Sequence, residues 1–180
     1  MARFLVLYGT VQGQSGKIAN FIADELKVMG HTADIFDAES IPKKILPSNY
    51  DAYVIGGGVH IGGYPSPLRR WVSFYSRELN KKPGAFFSVC LGILQNDPKV
   101  KKEEEQIVQR FFDKTGWHPE FSTIFAGALT YSKYNWFLKR IMRSIAKKAS
   151  GVKTDMKKDY EYTNWDDVKR FSQECSRKLV

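Results

Sequence analysis

The sequence predicts an α/β fold in which helices cover both faces of a doubly wound parallel sheet. Short apolar runs alternate with segments of helical periodicity along the 180 residues, which is the order typical of such folds. Three of these runs are almost continuously apolar, as are strands buried on both faces of a parallel sheet. The chain has no internal repeat and no Gly/Ser-rich linker, which favours a single domain over residues 1–180.

Five strands are expected, with helices between and after them. The strand candidates are residues 4–8, 32–36, 52–56, 85–90 and 122–128. The first helix should stop near Gly30, and Pro67 can open the second. Residues 99–115 form the third helix candidate, and Thr163 followed by Asp166 is a capping signal for the last helix.

The net charge of +9 is concentrated in one segment and predicts attraction to an anionic partner. Residues 131–158 hold nine Lys or Arg and one acid, so the rest of the chain is nearly neutral. Apolar residues recur there at helical spacing between Leu138 and Ala149, and basic residues occupy much of the remaining surface. Residues 131–159 are therefore expected to form a basic amphipathic helical insertion between the fifth strand and the last helix.

Cysteine usage and hydropathy favour a cytoplasmic location. Cys90 and Cys175 are far apart and have no metal-ligand spacing, so we interpret both as small buried apolar residues rather than disulfide partners or metal ligands. The apolar run at residues 4–8 is too short for a signal peptide. No apolar run reaches the roughly 18 residues that a membrane-spanning helix needs.

The clearest local signal is the loop after the first strand, where residues 8–18 read YGTVQGQSGKI. This segment follows a buried strand, leads into an amphipathic helix, and contains three glycines together with the hydroxyl residues Thr10 and Ser15. Consecutive backbone N–H groups at such a turn can surround a phosphate, and the helix N-terminus favours its charge.

Two other phosphate-binding motifs fail at this loop. The Walker A motif requires a glycine at the position of Val11 and a hydroxyl residue at the position of Ile18. Val11 also occupies the first glycine position of the dinucleotide-binding motif. The pattern that remains, Thr-x-x-Gly-x-Ser, is the form that holds the monophosphate of a flavin nucleotide. An ordinary turn capped by Ser15 is the alternative.

A second glycine-rich loop follows the third strand, where residues 56–65 read GGGVHIGGYP. In a sheet of order 2-1-3-4-5, ligands bind beyond the carboxyl ends of strands 1 and 3. Tyr64 can stack on a flavin ring there, and His60 can contact the ring edge or transfer a proton. The alternative for His60 is a solvent-facing loop residue.

The fourth strand delivers a third loop to the same edge, and its backbone can hydrogen-bond the pyrimidine part of a flavin. Together the three loops predict FMN as the cofactor, with His60 as the candidate catalytic residue. The residues expected to contact FMN are Thr10, Val11, Gln12, Gly13, Gln14, Ser15, Gly57, Gly58, Val59, His60, Tyr64, Ser88, Val89, Cys90, Leu91 and Gly127.

Nearly the whole chain carries motifs of one family. The motifs are residues 10–15, 54–56 with Tyr64, 87–89, 126–136 (AGALTYSKYNW), 150–151, 154–155 and 162–165. On these motifs the chain resembles the menaquinone-dependent protoporphyrinogen oxidase family, FMN enzymes with a flavodoxin-like fold. It departs from the family pattern at Gln12, where an acid is frequent, at His60, near an Arg position, and at Gly63, near a His position.

The resemblance implies that FMN carries electrons from protoporphyrinogen IX to a membrane quinone in haem synthesis. Basic side chains of the insertion can pair with the substrate's propionates, and the same helix can lie on the anionic inner face of the cell membrane as a peripheral contact. Packing on the domain with solvated lysines is the alternative. The residues expected to contact substrate or membrane are Lys133, Tyr134, Trp136, Lys139, Arg140 and Arg143.

Other functions remain open at this point. A flavodoxin-like quinone reductase could use another donor, and an electron carrier could dock on acidic partners through residues 133–158. A nucleic-acid binder is suggested by charge alone, but no recognition motif supports it. The oligomeric state is not predicted.

Overall fold

Five parallel strands form the central sheet of the computed structural model, which describes residues 1–94, 97–129 and 159–180. Their order is β2-β1-β3-β4-β5, which confirms the predicted fold class and strand order. The strands are β1 (Arg3–Gly9), β2 (Thr32–Asp37), β3 (Ala52–Gly58), β4 (Gly84–Cys90) and β5 (Phe121–Ala126).

Helices cover both faces of this sheet. The helices α1 (Gln14–Val28) and α4 (Trp165–Lys178) pack on one face, whereas α2 (Ser66–Leu79) and α3 (Pro98–Thr115) pack on the other. The predicted signals for α1 and α2 are confirmed, because Gly30 follows the end of α1 with a φ of +87° and Pro67 lies in the first turn of α2.

The two faces of β1 explain why its sequence is continuously apolar. Phe4 and Val6 belong to the core under α1 and α4, and Leu5 and Leu7 belong to the core under α2 and α3. All four side chains are fully buried. Successive side chains of a strand point to opposite faces, so a strand covered on both sides requires apolar residues at every position.

The predicted fifth strand, residues 122–128, is wrong at its end. β5 stops at Ala126, and β6 (Ala128–Leu129) pairs instead with β7 (Tyr160–Glu161) in a separate antiparallel ribbon. Gly127 marks the break, because its N–H donates to the Cys90 carbonyl at 3.1 Å while its own carbonyl accepts from the Tyr162 N–H at 3.1 Å.

The predicted cap of the last helix is also wrong. Asn164 caps α4, with its side-chain oxygen accepting from the Asp166 N–H at 3.1 Å. The Thr163 hydroxyl is engaged elsewhere: it donates to the Ala126 carbonyl at 2.8 Å and accepts from the Gln14 side-chain amide at 2.8 Å. A hydroxyl committed to these partners cannot cap the helix.

The basic insertion falls almost wholly outside the described residues, and with it the predicted contacts of its side chains. The residues concerned are Lys133, Tyr134, Trp136, Lys139, Arg140 and Arg143. Among the helices that the structure does describe, none is long and apolar enough to cross a membrane.

We expect Gly56→Ala to destabilise the protein, because a Cβ at Gly56 would overlap the ring of Phe87 on the neighbouring strand. Phe87 is fully buried and has no free space to occupy, so the free energy of unfolding should fall by about 1–3 kcal/mol. Urea unfolding of the flavin-free protein measures this change. Gly63→Ala is the control, since nothing lies within 4 Å of a Cβ there. Equal stabilities of the two variants would contradict the packing described.

Candidate functional site

Three loops leave the sheet at the carboxyl ends of neighbouring strands. We call residues 10–15 the first loop, residues 59–65 the second loop and residues 91–94 the third loop. Gly9 pairs with Gly57 in the β1–β3 register, and Gly58 pairs with Val89 in the β3–β4 register. The strands therefore end at the same level, and the three loops meet at one edge of the sheet.

The first loop presents backbone donors that no side chain of the helix caps. Gly13 has a φ of +100° and precedes α1, and no side chain of residues 1–94, 97–129 or 159–180 caps this helix end. Its N–H donates to the Thr10 hydroxyl at 2.8 Å, and its carbonyl accepts from Lys17 N–H at 3.1 Å. The N–H groups of Gln14, Ser15 and Gly16 precede that first helical bond. The alternative interpretation, a turn capped by Ser15, is therefore wrong.

The end of β3 packs closely against its neighbours because its last two residues lack side chains. A Cβ on Gly58 would lie 3.0 Å from the Ser15 hydroxyl oxygen. A Cβ on Gly57 would lie 2.9 Å from Leu68 Cδ2 on α2 and 3.2 Å from the Gly9 carbonyl oxygen. A larger residue at Gly58 would push the end of β3 away from the first loop, and one at Gly57 would push it away from α2.

The second loop is a tight turn with His60 at its base. His60 N–H donates to the Gly63 carbonyl at 2.7 Å, and Gly63 N–H donates back to the His60 carbonyl at 3.2 Å. Between them Ile61 has a φ of +48° and an exposed fraction of 93%, a conformation that costs a β-branched residue about 1–3 kcal/mol. The His60 side chain is exposed, so it is accessible to a ligand; its role in proton transfer stays a prediction.

Tyr64 does not lie where the sequence placed it. Its side chain is buried, with the ring edge-on to Phe86 and Phe111 at 5.2 and 4.9 Å between centroids. Its hydroxyl donates to the buried Ser88 hydroxyl at 2.8 Å, and burial raises the pKa of Tyr64 well above its usual range. Since the core surrounds this ring, the prediction that Tyr64 stacks on a flavin is corrected: Tyr64 anchors the second loop to β4.

The third loop begins where the backbone of β4 is already engaged. The Val89 carbonyl accepts from Val59 N–H at 2.8 Å, and Cys90 is buried. The chain then turns at Leu91, whose carbonyl accepts from Leu94 N–H at 3.2 Å. The prediction that Gly127 contacts the cofactor is also corrected, because its N–H and carbonyl groups both have the protein partners described above. Gly127 has a structural role beside Val89 instead.

The start of α1 is fixed by contacts with residues 161–165 that the sequence analysis did not predict. Lys17 forms an ion pair with Glu161 at 3.1 Å, and the Trp165 indole N–H donates to the same carboxylate at 2.9 Å. Burial opposes the charge of Glu161, but the hydrogen bonds from Lys17 and Trp165 outweigh it and lower the pKa of that carboxyl group. Together with the Gln14–Thr163 hydrogen bond, these contacts fix the start of α1 against the segment that precedes α4.

Concave surface flanks the first loop on both sides of Thr10. A groove of about 810 Å³ runs along α1 and is walled by Tyr8, Phe21 and Trp165. A cavity of about 270 Å³ lies between the loop, the end of β2 and the start of α2, beside Val11. Small-molecule sites are typically concave, with a few convergent polar groups.

The donor set of the first loop fits a phosphate monoester. The first turn of α1 contains no acidic residue, so the positive end of the helix dipole is not opposed by a side chain there. The buried Ser15 hydroxyl lies in the first turn of α1, and the second loop is open at Gly62 and Gly63, where no atom of the described residues lies within 4 Å of a Cβ. These features are those expected of a flavin mononucleotide site.

Comparison with known proteins agrees with this geometry. A family model described as a flavodoxin domain matches residues 5–157. The Escherichia coli protein named protoporphyrinogen IX dehydrogenase (quinone) is 34% identical over 172 residues, which cover 96% of this chain and 93% of that protein. A protein of the same name from Leishmania major is 32% identical over 174 residues, which cover 94% and 73%, respectively.

Solved flavodoxin structures share the fold at low sequence identity. The flavodoxin of Streptococcus pneumonia TIGR4 superposes with a TM-score of 0.56 at 15% identity, covering 99% of this chain and 100% of that one. Flavodoxin 1 of Bacillus cereus gives 0.56 at 12% identity, covering 99% of each. Taken with the full-length relatives, the sheet order and the three converging loops, these matches show that the chain belongs to the flavodoxin-domain family and is a relative of the protoporphyrinogen IX dehydrogenases (quinone).

Proposed function

We propose that this protein is an FMN-dependent oxidoreductase that oxidises protoporphyrinogen IX and passes the electrons to a quinone. The observation that carries the proposal is the uncapped start of α1, which shares one edge of the sheet with the open turn at Gly62 and Gly63 of the second loop. The first feature suits the phosphate of FMN, and the second suits its ring. The substrate and acceptor are those in the names of the full-length relatives.

The residues of the first loop are assigned to the FMN phosphate. The N–H groups of Gln14, Ser15 and Gly16 and the Ser15 hydroxyl donate to it, while Thr10 keeps the loop open by holding the Gly13 N–H. Val11 and Gln12 complete the wall of the loop on the solvent side, and Val11 is 58% exposed. Charge-assisted hydrogen bonds of this kind are about twice as strong as neutral ones.

The second and third loops are assigned to the flavin ring. Gly58 and Val59 lead into the second loop at one edge of the ring, His60 is an exposed polar side chain at that edge, and Leu91 begins the loop on the other side. Gly57 is buried under Leu68, so its predicted contact with the cofactor is corrected. Bound FMN supplies the hydride chemistry, and the protein supplies orientation and electrostatics. His60 is assigned as the side chain that holds or moves a proton at its imidazole.

We assign the basic insertion to the binding of the anionic substrate or of an anionic membrane surface. Its Lys139, Arg140 and Arg143 can pair with the propionates of a porphyrinogen or with anionic lipid headgroups. The aromatic residues Tyr134 and Trp136 at its start suit a membrane interface, where a quinone would be reached. The protein would then work as a peripheral membrane enzyme.

An anaerobic half-reaction assay tests the function. FMN-loaded protein is mixed with protoporphyrinogen IX, and the loss of the oxidised flavin absorbance is followed; menaquinone is then added and its return is followed. We expect rapid reduction by the porphyrinogen and rapid reoxidation by the quinone. Reduction by NAD(P)H but not by the porphyrinogen would replace this proposal by a reductase with another donor, and reduction by neither would favour a carrier.

The double variant Thr10→Ala/Ser15→Ala should bind FMN more weakly, because it removes two hydroxyls from the first loop. A hydrogen bond to a charged group contributes about 1.5–3 kcal/mol, which corresponds to a loss of roughly tenfold to a hundredfold in affinity. Quenching of FMN fluorescence during titration of the flavin-free protein gives the dissociation constant. Ser73→Ala, an exposed hydroxyl on α2, is the control. Unchanged affinity of the double variant would refute the assignment of the phosphate.

The triple variant Lys139→Ala/Arg140→Ala/Arg143→Ala should retain FMN but lose activity on the anionic substrate or binding to anionic vesicles. Two assays separate these ligands. Porphyrinogen oxidation with a soluble quinone measures the effect on the substrate, and sedimentation with vesicles that contain phosphatidylglycerol measures binding to the membrane. Lys43→Ala/Lys44→Ala/Lys81→Ala is the matched control, since it removes the same charge from exposed positions elsewhere. If both triple variants behave alike in both assays, the insertion has no specific role.

A further inference from the structure

Glu104 is a half-buried acid that the function described above does not use. It lies on α3, the helix that packs against the third loop. Its Oε2 atom is buried and has no hydrogen-bond partner among the described residues. Its Oε1 atom lies so close to Gly92 that a Cβ on that glycine would overlap it. A buried carboxyl oxygen without a partner costs free energy, so its retention requires a reason.

The Cys90 thiol at the end of β4 is a neighbour of this carboxyl group: burial raises the pKa of the thiol, and the charge of Glu104 raises it further. The third loop leaves β4 directly after Cys90. Because Glu104 Oε1 lies against Gly92, the carboxyl group lies beside the backbone that is assigned to the flavin ring.

The groups that face Glu104 come from three elements. Burial raises the pKa of the Glu104 carboxyl, the neighbouring Cys90 thiol on β4 lowers it, and the charge of Glu103 on α3 raises it. Burial raises the pKa of Cys90 to about 12, and burial likewise raises that of Tyr64 in the second loop. The thiol and the phenol therefore stay neutral near pH 7, and Glu104 is the member of this cluster that titrates.

We propose that Glu104, whose carboxyl group lies against Gly92 of the third loop, lowers the reduction potential of bound flavin when it ionises. The proposal rests on the FMN function proposed above. An ionised carboxylate adds negative charge behind the loop that is assigned to the ring, and this charge opposes the arrival of electrons. Protonation removes the charge, so reduction of the flavin and uptake of a solvent proton by Glu104 favour each other.

The sign of the pH dependence follows from this coupling. The potential of any bound flavin falls as the pH rises, because reduction takes up protons. In the native protein it should fall by an additional amount as the pH rises through the pKa of Glu104, since the carboxyl then becomes charged. The glutamine side chain of the Glu104→Gln variant stays neutral. The reduction potential of flavin bound to this variant should therefore equal that of the native protein at low pH and exceed it at high pH.

Redox titration of the FMN-loaded protein from about pH 5 to about pH 9 measures this difference across the range of a raised carboxyl pKa. Glu105→Gln is the matched control, because it removes the same charge from an exposed position on the same helix. Gly92→Ala is a second variant, whose Cβ displaces the carboxyl group while the acid remains. We expect Glu104→Gln to abolish the additional fall, Gly92→Ala to shift its midpoint and Glu105→Gln to preserve it.

The outcomes separate this inference from the function on which it rests. If Glu104→Gln binds FMN and its potentials superimpose on those of the native protein at every pH, the inference is overturned and the function stands. A Glu105→Gln curve that matches that of Glu104→Gln would also overturn it, because net charge alone would explain both. Native protein that takes up no FMN would overturn the function, and the inference with it.

Discussion

The parallel pairing of β1 with β3 is the constraint on which the rest of the site depends. In the sheet, β2 lies on one side of β1 and β3 lies on the other. The connections that follow β1 and β3 therefore lead to helices on opposite faces, and a crevice opens between the two strands. The register places Gly9 opposite Gly57, so the first and second loops start at the same height. The close approach of Gly58 to Ser15 then follows from the pairing and from the absence of a side chain at Gly58.

Backbone polar groups at this edge fall into two sets, and the division defines the site. Some are satisfied within the protein: Gly13 N–H by Thr10, Val59 N–H by Val89, and His60 and Gly63 by each other. Those at the start of α1 have no such side-chain partner among the described residues. In a fold where buried or crowded polar groups are normally paired, a cluster of N–H groups without a side-chain cap from this part of the chain favours an anionic ligand. The Lys17–Glu161–Trp165 contacts keep this cluster in place from the opposite side.

Strands and the first loop could be predicted because their signals are local. Continuous apolar runs reflect burial on both faces, and the residue order of a strand, a glycine-rich turn and an amphipathic helix is contained in fewer than about 30 residues, as in other βα units. The end of β5 could not be found this way, because the ribbon that stops it pairs Ala128 with Glu161 across the insertion. Thr163 and Asn164 are both good capping residues, and only the distant Ala126 carbonyl decides between them.

The misplacement of Tyr64 and the omission of Glu104 have the same origin. An aromatic residue in a glycine-rich loop suits a stacking role by its chemistry, but the space between Phe86 and Phe111 that receives Tyr64 exists only once β4 and α3 have packed. Glu104 is one of three consecutive glutamates on a highly charged helix. Nothing in that run distinguishes the acid that lies against Gly92 from the two beside it until the helix is docked on the third loop.

The central claim is that the amides at the start of α1 hold the phosphate of a flavin nucleotide. It is tested most directly by comparing the affinities of the flavin-free protein for FMN and for riboflavin, which differ only in that phosphate. Since each charge-assisted hydrogen bond contributes about 1.5–3 kcal/mol, FMN should bind at least about a hundredfold more tightly. Equal affinities, or binding of neither flavin, would contradict the account.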